Sequence, residues 1–566
     1  MAFLRPINQK IFGEFFLKKP LERHKVAENS IFGINSNLDT GGIIDNLVTL
    51  QSQPITIVQA KRALEEAKLL SFQDLKNRLQ SFKSVVNTLN TESRFLSTNG
   101  TFSNNSSTDT NKVATLATTS SATSGTYSLV VNNLARETKL LSSGFESTSS
   151  KVETGLLTLK VGSTTTKITI DDSNNTLEGI PLANNNSGAK IHANFLNDGS
   201  ASAPVKLVIS ASKTGVDNAI SVSLASQLFG AGQQHAMTFT EAQTAQNASF
   251  VIDGVAVTKA NNTVTDVISG ATLQLESAGS GIVTVSPDED AIKEKIQNYV
   301  DGFNEIMQYL TRELALTEST GETGVLFANF TVQNLQQTLR EIITDKVVGI
   351  NGSLDYLSQI GIRTQSDGTL TINDGDLSTA IAGSIENVTQ LFSSAGAASN
   401  SAVTFVGFTS KTEPGTYNVR VSNGVPQLAA SGTTTFTDAV GNGNFFAGAA
   451  GSNAEGLNFR IGNLSDGNYG TLTLSVGVAQ ITNRVIARLT DASLQGPLEA
   501  EIDSSKETLL EFDQTVTDLE ERLVLFESNL RDRFTNLEVV LGRLNSQRDA
   551  FDSSIKGIQA LFSGSK

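Results

Sequence analysis

The 566 residues include no cysteine, no tryptophan and only three histidines, which excludes disulfide frameworks, thiolate metal sites and cysteine nucleophiles. The formal net charge of −15 argues against nucleic acid as the main partner, because a phosphate-binding surface needs clustered Lys and Arg. No apolar run approaches the roughly 20 residues of a membrane span, so we expect no membrane insertion. A chain of this length is sufficient for about three or four domains.

The N-terminal region is predicted to hold little structure before a short helix. Residues 1–33 show no period and include a mixed-charge run, so we expect them to be mostly disordered. Asp39 is predicted to cap a helix from Gly42 to Leu50, which Pro54 ends because the residue before a proline disfavours the helical conformation. These residues, 1–54, form the first predicted segment.

A long amphipathic helix is predicted for residues 55–97. Its apolar positions follow a 3-4 spacing, with Lys, Glu, Gln and Asn on the other faces. They are Leu64, Phe72, Leu75, Leu79, Phe82, Val86 and Leu89.

Polar composition and then alternation mark the next region. Residues 98–124 are rich in Ser, Thr and Asn and are predicted to be a polar linker. Apolar residues alternate with polar ones over 125–285, which predicts a β-rich head domain. Asp253-Gly254 lies between two such runs and is typical of a hairpin turn.

Helices are predicted to return over residues 286–400. Ser286, Pro287 and Glu289 match a capping box with proline at the first helical position. Further helices are expected at about 332–347 and 376–392. A small hairpin around Asp367-Gly368 is expected between them.

Residues 403–478 are predicted to form a second β-rich insertion. The run Gly415–Val421 echoes Gly125–Val131, which indicates a weak internal repeat of the first β unit. The chain becomes helical again near Ile481.

The C-terminal helix carries the most regular pattern of the chain. An apolar residue recurs at every seventh position from Leu509 to Ile558, which is typical of a coiled coil. A second series starts at Phe512, moves over by one residue at Phe534 and is interrupted by Arg548. Such a helix is about 80 Å long and needs a partner along its apolar face.

We therefore predict an α+β multidomain protein, in which the long N- and C-terminal helices pack as a coiled-coil-like stalk with inserted antiparallel β-rich head domains. The helical stalk domain comprises 55–97, 286–400 and 480–530, and 531–566 form a C-terminal leg helix. The residues predicted to pack the stalk helices are Leu75, Leu79, Phe82, Val86, Leu89, Leu509, Val516, Leu519, Leu523 and Phe526.

Part of the C-terminal apolar series extends past the N-terminal helix and is predicted to contact other subunits or a filament. These residues are Leu537, Leu541, Leu544, Phe551, Ile555 and Ile558. We expect Leu523→Asp to destabilise the monomer, and Leu544→Asp to spare its folding and impair docking.

No catalytic, cofactor-binding or metal-binding residue is predicted, and we do not expect an enzyme. The three histidines, His24, His192 and His235, are far apart and lack ligand spacing. The acidic run 288–290 is better explained by a helix N-terminus, and Asn373–Asp376 lacks the ligand spacing of a calcium loop.

Several segments in order resemble one family, the flagellar filament-capping proteins, also called hook-associated protein 2. Asn37–Thr40 with Ile43–Leu47 resembles the family's opening, and Leu519–Leu523 with Leu530–Glu538 is similar to its C-terminal signature. Between them, Lys167–Asp171 and related runs resemble the repeat of hook-associated proteins and flagellins. The chain departs from the family in about thirty residues before the opening and in a longer insertion at 403–478.

The resemblance implies a structural assembly factor that caps the distal end of the bacterial flagellar filament and promotes insertion and folding of flagellin. It implies a homo-oligomeric ring, with flagellin, the filament end, the flagellar export apparatus and an export chaperone as partners. It also implies export without a cleaved signal peptide and an extracellular location at the flagellum tip. A flagellin-like or hook–filament junction protein, or a flagellar-tip adhesin, is the alternative.

Overall fold

The structure is a computed structural model that describes residues 39–105, 111–181, 188, 190–226, 236–317, 322–350 and 352–563. The predicted disorder of residues 1–33, together with His24 and His235, lies outside the described residues. The chain divides into two compact units. The terminal unit consists of residues 1–76, 313–329 and 491–566, and the central unit of 77–312 and 330–490.

Long helices occur at both ends of the described chain, as predicted, with antiparallel sheets between them. The helices are α1 Thr40–Gln51, α2 Gln53–Val86, α3 Glu92–Phe95, α4 Glu289–Glu313, α5 Phe330–Thr344, α6 Asp374–Gly383, α7 Ile385–Phe392, α8 Val478–Thr490 and α9 Pro497–Ser563.

The start of α1 confirms its predicted cap. The Asp39 carboxylate accepts a hydrogen bond from the Gly42 backbone N–H at 2.9 Å, which satisfies a donor that has no partner within the helix. Only Ser52 separates α1 from α2, and Pro54 lies in the first turn of α2, where its missing N–H costs nothing.

The described residues between 98 and 287 form fifteen strands of the central unit. They are β1 Thr98–Asn104, β2 Ala114–Thr118, β3 Gly125–Asn133, β4 Lys139–Ser142, β5 Gly155–Val161, β6 Thr164–Ile170, β7 Ile191–Asn197, β8 Val205–Ala211, β9 Ile220–Ser226, β10 Phe239–Gln243, β11 Ala248–Ile252, β12 Val255–Lys259, β13 Thr263–Val264, β14 Ala271–Leu275 and β15 Gly279–Pro287.

The predicted head domain contains two hydrophobic cores rather than one. The first lies between the sheet β1-β15-β3-β11-β12 and the sheet β13-β14-β2, and the second between β10-β4-β8-β7 and β6-β5-β9. Strands β4 to β10 thus form a separate β module inserted between β3 and β11. The predicted hairpin at Asp253-Gly254 is confirmed, since β11 and β12 pair directly and both turn residues have positive φ.

The prediction of a polar linker over 98–124 is wrong. Strand β1 pairs with β15 along its whole length, and β2 pairs with β14. Strand β1 has no fully buried position and alternates between exposed and half-buried ones. Polar side chains are tolerated at such positions, so the sequence of β1 lacks the apolar alternation that would have predicted a strand. Gly100 lies so close to Leu116 that a Cβ atom there would collide with the leucine side chain.

Short strands and a second β region complete the fold. The short strands are β16 Leu316–Thr317, β17 Glu322–Thr323, β18 Ile362–Thr364 and β19 Leu370–Ile372. The β region contains β20 Ser394–Ala398, β21 Val403–Gly407, β22 Gly415–Ser422, β23 Val425–Ala430, β24 Thr437–Asp438, β25 Val440–Asn442, β26 Phe445–Ala447, β27 Asn458–Ile461 and β28 Gly467–Val476.

The strand order supports the internal repeat indicated by the sequence. The sheet β20-β28-β22-β23-β24 follows the same path as β1-β15-β3-β11-β12. In each, an early edge strand pairs with the last strand of the region, which in turn pairs with the strand carrying the repeated sequence, β3 or β22. The two β regions therefore share one plan, and the first has gained the inserted module.

Two predicted helix boundaries need correction. Residues 286 and 287 still belong to β15, and the Asp288 carboxylate accepts a hydrogen bond from the Ala291 N–H at 3.0 Å, so Asp288 rather than Ser286 caps α4. The helix predicted at 376–392 is divided into α6 and α7 at Ser384. The Ser384 hydroxyl accepts from the Asn387 N–H, so it begins a new helix.

Buried aromatic rings join the helices of the central unit. Tyr299 of α4 packs against Phe82 of α2 and Phe392 of α7, with ring centroids 5.4 and 5.9 Å apart. Phe392 in turn stacks on Phe95 of α3. The Tyr299 hydroxyl lies 3.1 Å from Thr482 Oγ1, and burial raises the pKa of this tyrosine. We call these four rings the aromatic cluster.

Candidate functional site

The terminal unit is built on antiparallel pairing of its helices. Arg62 Nε donates a hydrogen bond to Asp513 Oδ1 at 2.5 Å, and Lys76 forms an ion pair with Glu499. As the residue number rises along α2, the partner's number falls along α9, so the two helices run in opposite directions. Helix α1 also packs against α9.

The polar contacts between these helices define their register. The Arg62 guanidinium is 37% exposed and the Asp513 carboxylate 53%. Their hydrogen bond raises the pKa of Arg62, but water screens such a pair, and it contributes at most about 1 kcal/mol to stability. The pairing therefore specifies which residues face each other more than it holds the helices together.

Apolar burial supplies most of the stability of this unit. Ile44 of α1, Ile55 of α2 and Ile502 of α9 are each no more than 3% exposed. Full burial of such side chains contributes about 1.5–3 kcal/mol apiece. Along α9 the burial ends at Glu538, which is 3% exposed.

An apolar stripe remains exposed on the N-terminal helices. Ile43, Leu50, Ile57 and Leu64 recur every seven residues, and their exposures are 40%, 61%, 57% and 54%. We call these four residues the N-terminal stripe. Leu64 was predicted to lie on the packed apolar face of the helix but is exposed here; the seven-residue spacing of the four residues is the signal that could have indicated this stripe.

The C-terminal helix carries a matching stripe. Leu537, Leu544, Phe551 and Ile558 also recur every seven residues, with exposures of 42%, 55%, 67% and 53%. We call them the C-terminal stripe. All four belong to the set predicted to contact other subunits; of the other two, Ile555 is 38% exposed and Leu541 is half-buried.

The residues predicted to pack the stalk fall into two groups. Those near the N-terminus are buried: Leu75, Leu79, Phe82 and Val86 of α2, and Leu89 just after it. Those on α9 are only half-buried: Leu509, Val516, Leu519, Leu523 and Phe526.

The two groups have different neighbours. Phe82 packs on Tyr299 and against Gly302 of α4, within the central unit. The α9 residues from Leu509 to Phe526 lie on both sides of Asp513, which faces Arg62, so they run alongside the start of α2 and α1. Of the predicted set, Leu75 lies in the terminal unit, next to the Lys76–Glu499 pair.

Polar clusters in the described residues do not resemble a catalytic centre. No group of three His, Asp or Glu side chains there is placed to hold a metal ion. A shallow groove of about 570 Å³ lies on the second β region beside Arg420 and Asp466. Arg420 stacks on Phe436 at 3.8 Å and donates to Gln427, and the Gly424 N–H lowers the pKa of Asp466 by hydrogen bonding to it. These charges are used in holding loops and strands together.

Long helices at both ends and antiparallel sheets inserted between them define an α+β multidomain protein. Residues 36–138 match the family model described as flagellar hook-associated protein 2 N-terminus, and residues 245–546 match the corresponding C-terminus model. The chain belongs to the flagellar hook-associated protein 2 family, which confirms the resemblance found in the sequence.

Individual relatives agree with the family match. B-type flagellar hook-associated protein 2 of Pseudomonas aeruginosa is 30% identical over 385 residues, which cover 63% of this chain and 76% of the relative. Flagellar hook-associated protein 2 of Escherichia coli K12 is 28% identical over 379 residues, covering 63% of this chain and 78% of the relative.

A solved structure shows the same fold. The D1-D2-D3 domains of the flagellar cap protein FliD from Escherichia coli align with a TM-score of 0.52 at 20% identity, covering 77% of this chain and 99% of that one. The family is a structural one of the flagellar cap, which lies at the extracellular tip of the filament. Among the described helices, none has both the length and the apolar character that crossing a bilayer requires.

Proposed function

We propose that this protein caps the distal end of the bacterial flagellar filament as a homo-oligomer and promotes the insertion and folding of flagellin subunits there. The observation that carries the proposal is the pair of exposed apolar stripes on a chain of this family. Large apolar side chains that stand in water at regular spacing are stabilised when another helix covers them.

The two stripes suit helical partners. Seven-residue spacing keeps each apolar residue on one side of a helix, so a second helix can lie along the whole stripe. If each of the four residues in one stripe were buried, the contribution would be on the order of 1.5–3 kcal/mol apiece. We assign the C-terminal stripe, with Leu541 and Ile555, to contact with neighbouring subunits and the filament end.

Flagellin and the filament end are the partners that follow from this role, and the flagellar export apparatus delivers the protein. An export chaperone that covers the apolar helices before export is a further partner. Because the cap only holds and positions arriving subunits, the role requires no bond-making chemistry and no cofactor.

The test is a strain that lacks this protein, complemented with the wild type or with variants. We expect the deletion strain to release unpolymerised flagellin into the medium and to lack long filaments. Leu544→Asp in the C-terminal stripe should fail to restore filaments, whereas Ser546→Asp, exposed two residues away, should restore them.

Immunogold labelling then locates the protein. Gold particles confined to filament tips are expected. Particles along the whole filament would instead indicate the flagellin-like alternative, and labelling away from the flagellum would contradict the proposal.

A further inference from the structure

Two hairpin turns of the second β region contain the same dipeptide, an asparagine followed by a glycine. Asn423-Gly424 joins β22 to β23, and Asn442-Gly443 begins the turn between β25 and β26. All four residues are exposed. An asparagine side chain is readily attacked by the peptide nitrogen that follows it when the next residue is glycine, because glycine has no side chain to obstruct the approach. The two turns therefore place one reactive dipeptide in two environments.

In the first turn the attacking nitrogen is engaged. The Gly424 N–H donates a hydrogen bond to Asp466 Oδ1 at 3.0 Å. This bond and a second one from the Asn423 N–H lower the pKa of Asp466, so its carboxylate is charged at neutral pH. The peptide nitrogen attacks only after it has lost its proton. The carboxylate opposes that loss because it holds the proton and because its negative charge disfavours a second negative charge beside it.

In the second turn the corresponding nitrogen has no such restraint. Asn442 pairs with Phe445, so Gly443 and Asn444 are the central residues of the turn. Gly443 has a φ of +63°, and glycine with positive φ at the first central position is typical of a type II′ turn. In such a turn the N–H of this position is not used by the turn's own hydrogen bond. Within the part of the chain that the structure describes, the Gly443 N–H has no hydrogen-bond acceptor.

The surroundings of Gly443 also favour the loss of its proton. Strand β25 is a three-residue edge strand, and all its residues are exposed, so the chain can open locally at low cost in free energy. Phe445 lies opposite Asn442, and Arg460 lies opposite Phe445, which places the three side chains on one face of the sheet. The Arg460 guanidinium is 4.2 Å from the centroid of the Phe445 ring. This face therefore carries a positive charge, whereas the first turn carries the carboxylate of Asp466.

We propose that Asn442 is a site of spontaneous deamidation and that Asp466 protects Asn423 from the same reaction. The deprotonated Gly443 nitrogen attacks Asn442 Cγ, the bond from Cγ to the side-chain nitrogen breaks, and a cyclic succinimide forms. The leaving nitrogen departs as ammonia and carries the proton that Gly443 lost. Water then opens the ring at either carbonyl carbon, which leaves aspartate or isoaspartate at position 442.

Both products change the hairpin that joins β25 to β26. Each adds a negative charge to the sheet face that carries Arg460. Isoaspartate also inserts the side-chain carbon into the backbone, and the lengthened chain no longer matches the short turn that aligns Asn442 with Phe445. The reaction needs only water and the folded chain, so this inference does not depend on the proposed function.

Mass spectrometry of the purified full-length protein, incubated in mildly alkaline buffer, compares the two sites. The mass increase that marks replacement of an amide by a carboxylate should accumulate at Asn442 about tenfold faster than at Asn423, or more. In urea-unfolded protein Asp466 no longer holds Gly424, and the two rates should agree within about threefold. Proteolytic cleavage after Phe436 separates the two asparagines, so each is quantified by itself.

Variants of Asp466 test the protection. Asp466→Ala should raise the rate at Asn423 to about that at Asn442, in a protein whose melting temperature shows that it is folded. Asp438→Ala removes an exposed carboxylate from strand β24 of the same β region and should leave both rates unchanged. If Asp466→Ala does not fold, Asp466→Asn keeps an acceptor without the charge and should raise the rate at Asn423 by a smaller factor. Equal rates at the two sites in the folded wild type, or a rate at Asn423 that does not respond to the Asp466 variants, would overturn the inference.

Discussion

The central and terminal units treat their large apolar residues in opposite ways. In the central unit Phe82, Tyr299 and Phe392 are at most 2% exposed and pack on one another. In the terminal unit the N- and C-terminal stripes leave side chains of similar size between 40% and 67% exposed. The central unit therefore buries its large apolar residues within one chain, whereas the terminal unit leaves two rows of large apolar residues exposed on its surface.

Removing a ring from the aromatic cluster should have the largest effect on stability. Tyr299→Ala deletes a fully buried side chain and its hydrogen bond to Thr482, and we expect it to lower the free energy of unfolding by about 3–5 kcal/mol. Leu64→Ala is the control: it also truncates a large apolar side chain, but one in the exposed N-terminal stripe, and it should lower the free energy of unfolding by less than about 0.5 kcal/mol. Denaturant unfolding measures both, and similar losses would remove the distinction between the units.

Two aspartate substitutions on one helix sharpen the comparison within α9. Leu523 is half-buried, so Leu523→Asp should destabilise the purified protein by about 1–3 kcal/mol. Leu544 is 55% exposed, so Leu544→Asp should leave the melting temperature nearly unchanged while impairing assembly. An equal drop in melting temperature for Leu523→Asp and Leu544→Asp would contradict this prediction.

In the second β region, loss of one tyrosine hydroxyl should have a smaller effect on stability, and this effect should depend on pH. The Tyr417 hydroxyl donates to the carbonyl oxygens of Glu413 and Asn453, and burial raises the pKa of Tyr417 to about 12. In the unfolded chain the tyrosine ionises near pH 10, so the contribution of Tyr417 is complete below about pH 10 and is lost as the pH rises towards 12.

We therefore expect Tyr417→Phe to cost about 0.5–1.5 kcal/mol at neutral pH, from the lost hydrogen bonds. The difference between the wild type and the variant should narrow above pH 10 in urea unfolding followed across that range. If the stability difference between the wild type and Tyr417→Phe stayed constant up to pH 12, the Tyr417 hydroxyl would have the same pKa in the folded and unfolded chains.

The smallest effect is expected at the surface ion pair of the terminal unit. Arg62→Met removes the contact with Asp513 and should lower stability by no more than about 1 kcal/mol, an effect that high salt should largely erase. Arg62→Lys keeps the charge and serves as the control. A loss well above 1 kcal/mol would mean that the terminal unit depends on its polar register as the central unit depends on its rings.

Local features were predictable where their cause is local. The Asp39 cap needs only a carboxylate and the three residues after it, and the Asp253-Gly254 turn needs only two residues that tolerate positive φ. Strand β1 was missed because its partner β15 is distant in sequence: Thr98 pairs with Pro287, and Asn104 pairs with Gly281. The local sequence does not indicate such a distant partner, and the polar side chains of β1 do not show the apolar alternation from which strands are predicted.

The sequence by itself determined the plan of helices, sheets and helices, and it determined which side of the C-terminal helix is apolar, because a seven-residue period is a property of one segment. The tertiary structure alone decided which partner each apolar face meets. Phe82 lies against Tyr299, and Asp513 faces Arg62. Such pairings depend on the summed packing of distant segments, so periodicity can say that a face must be covered without saying by what.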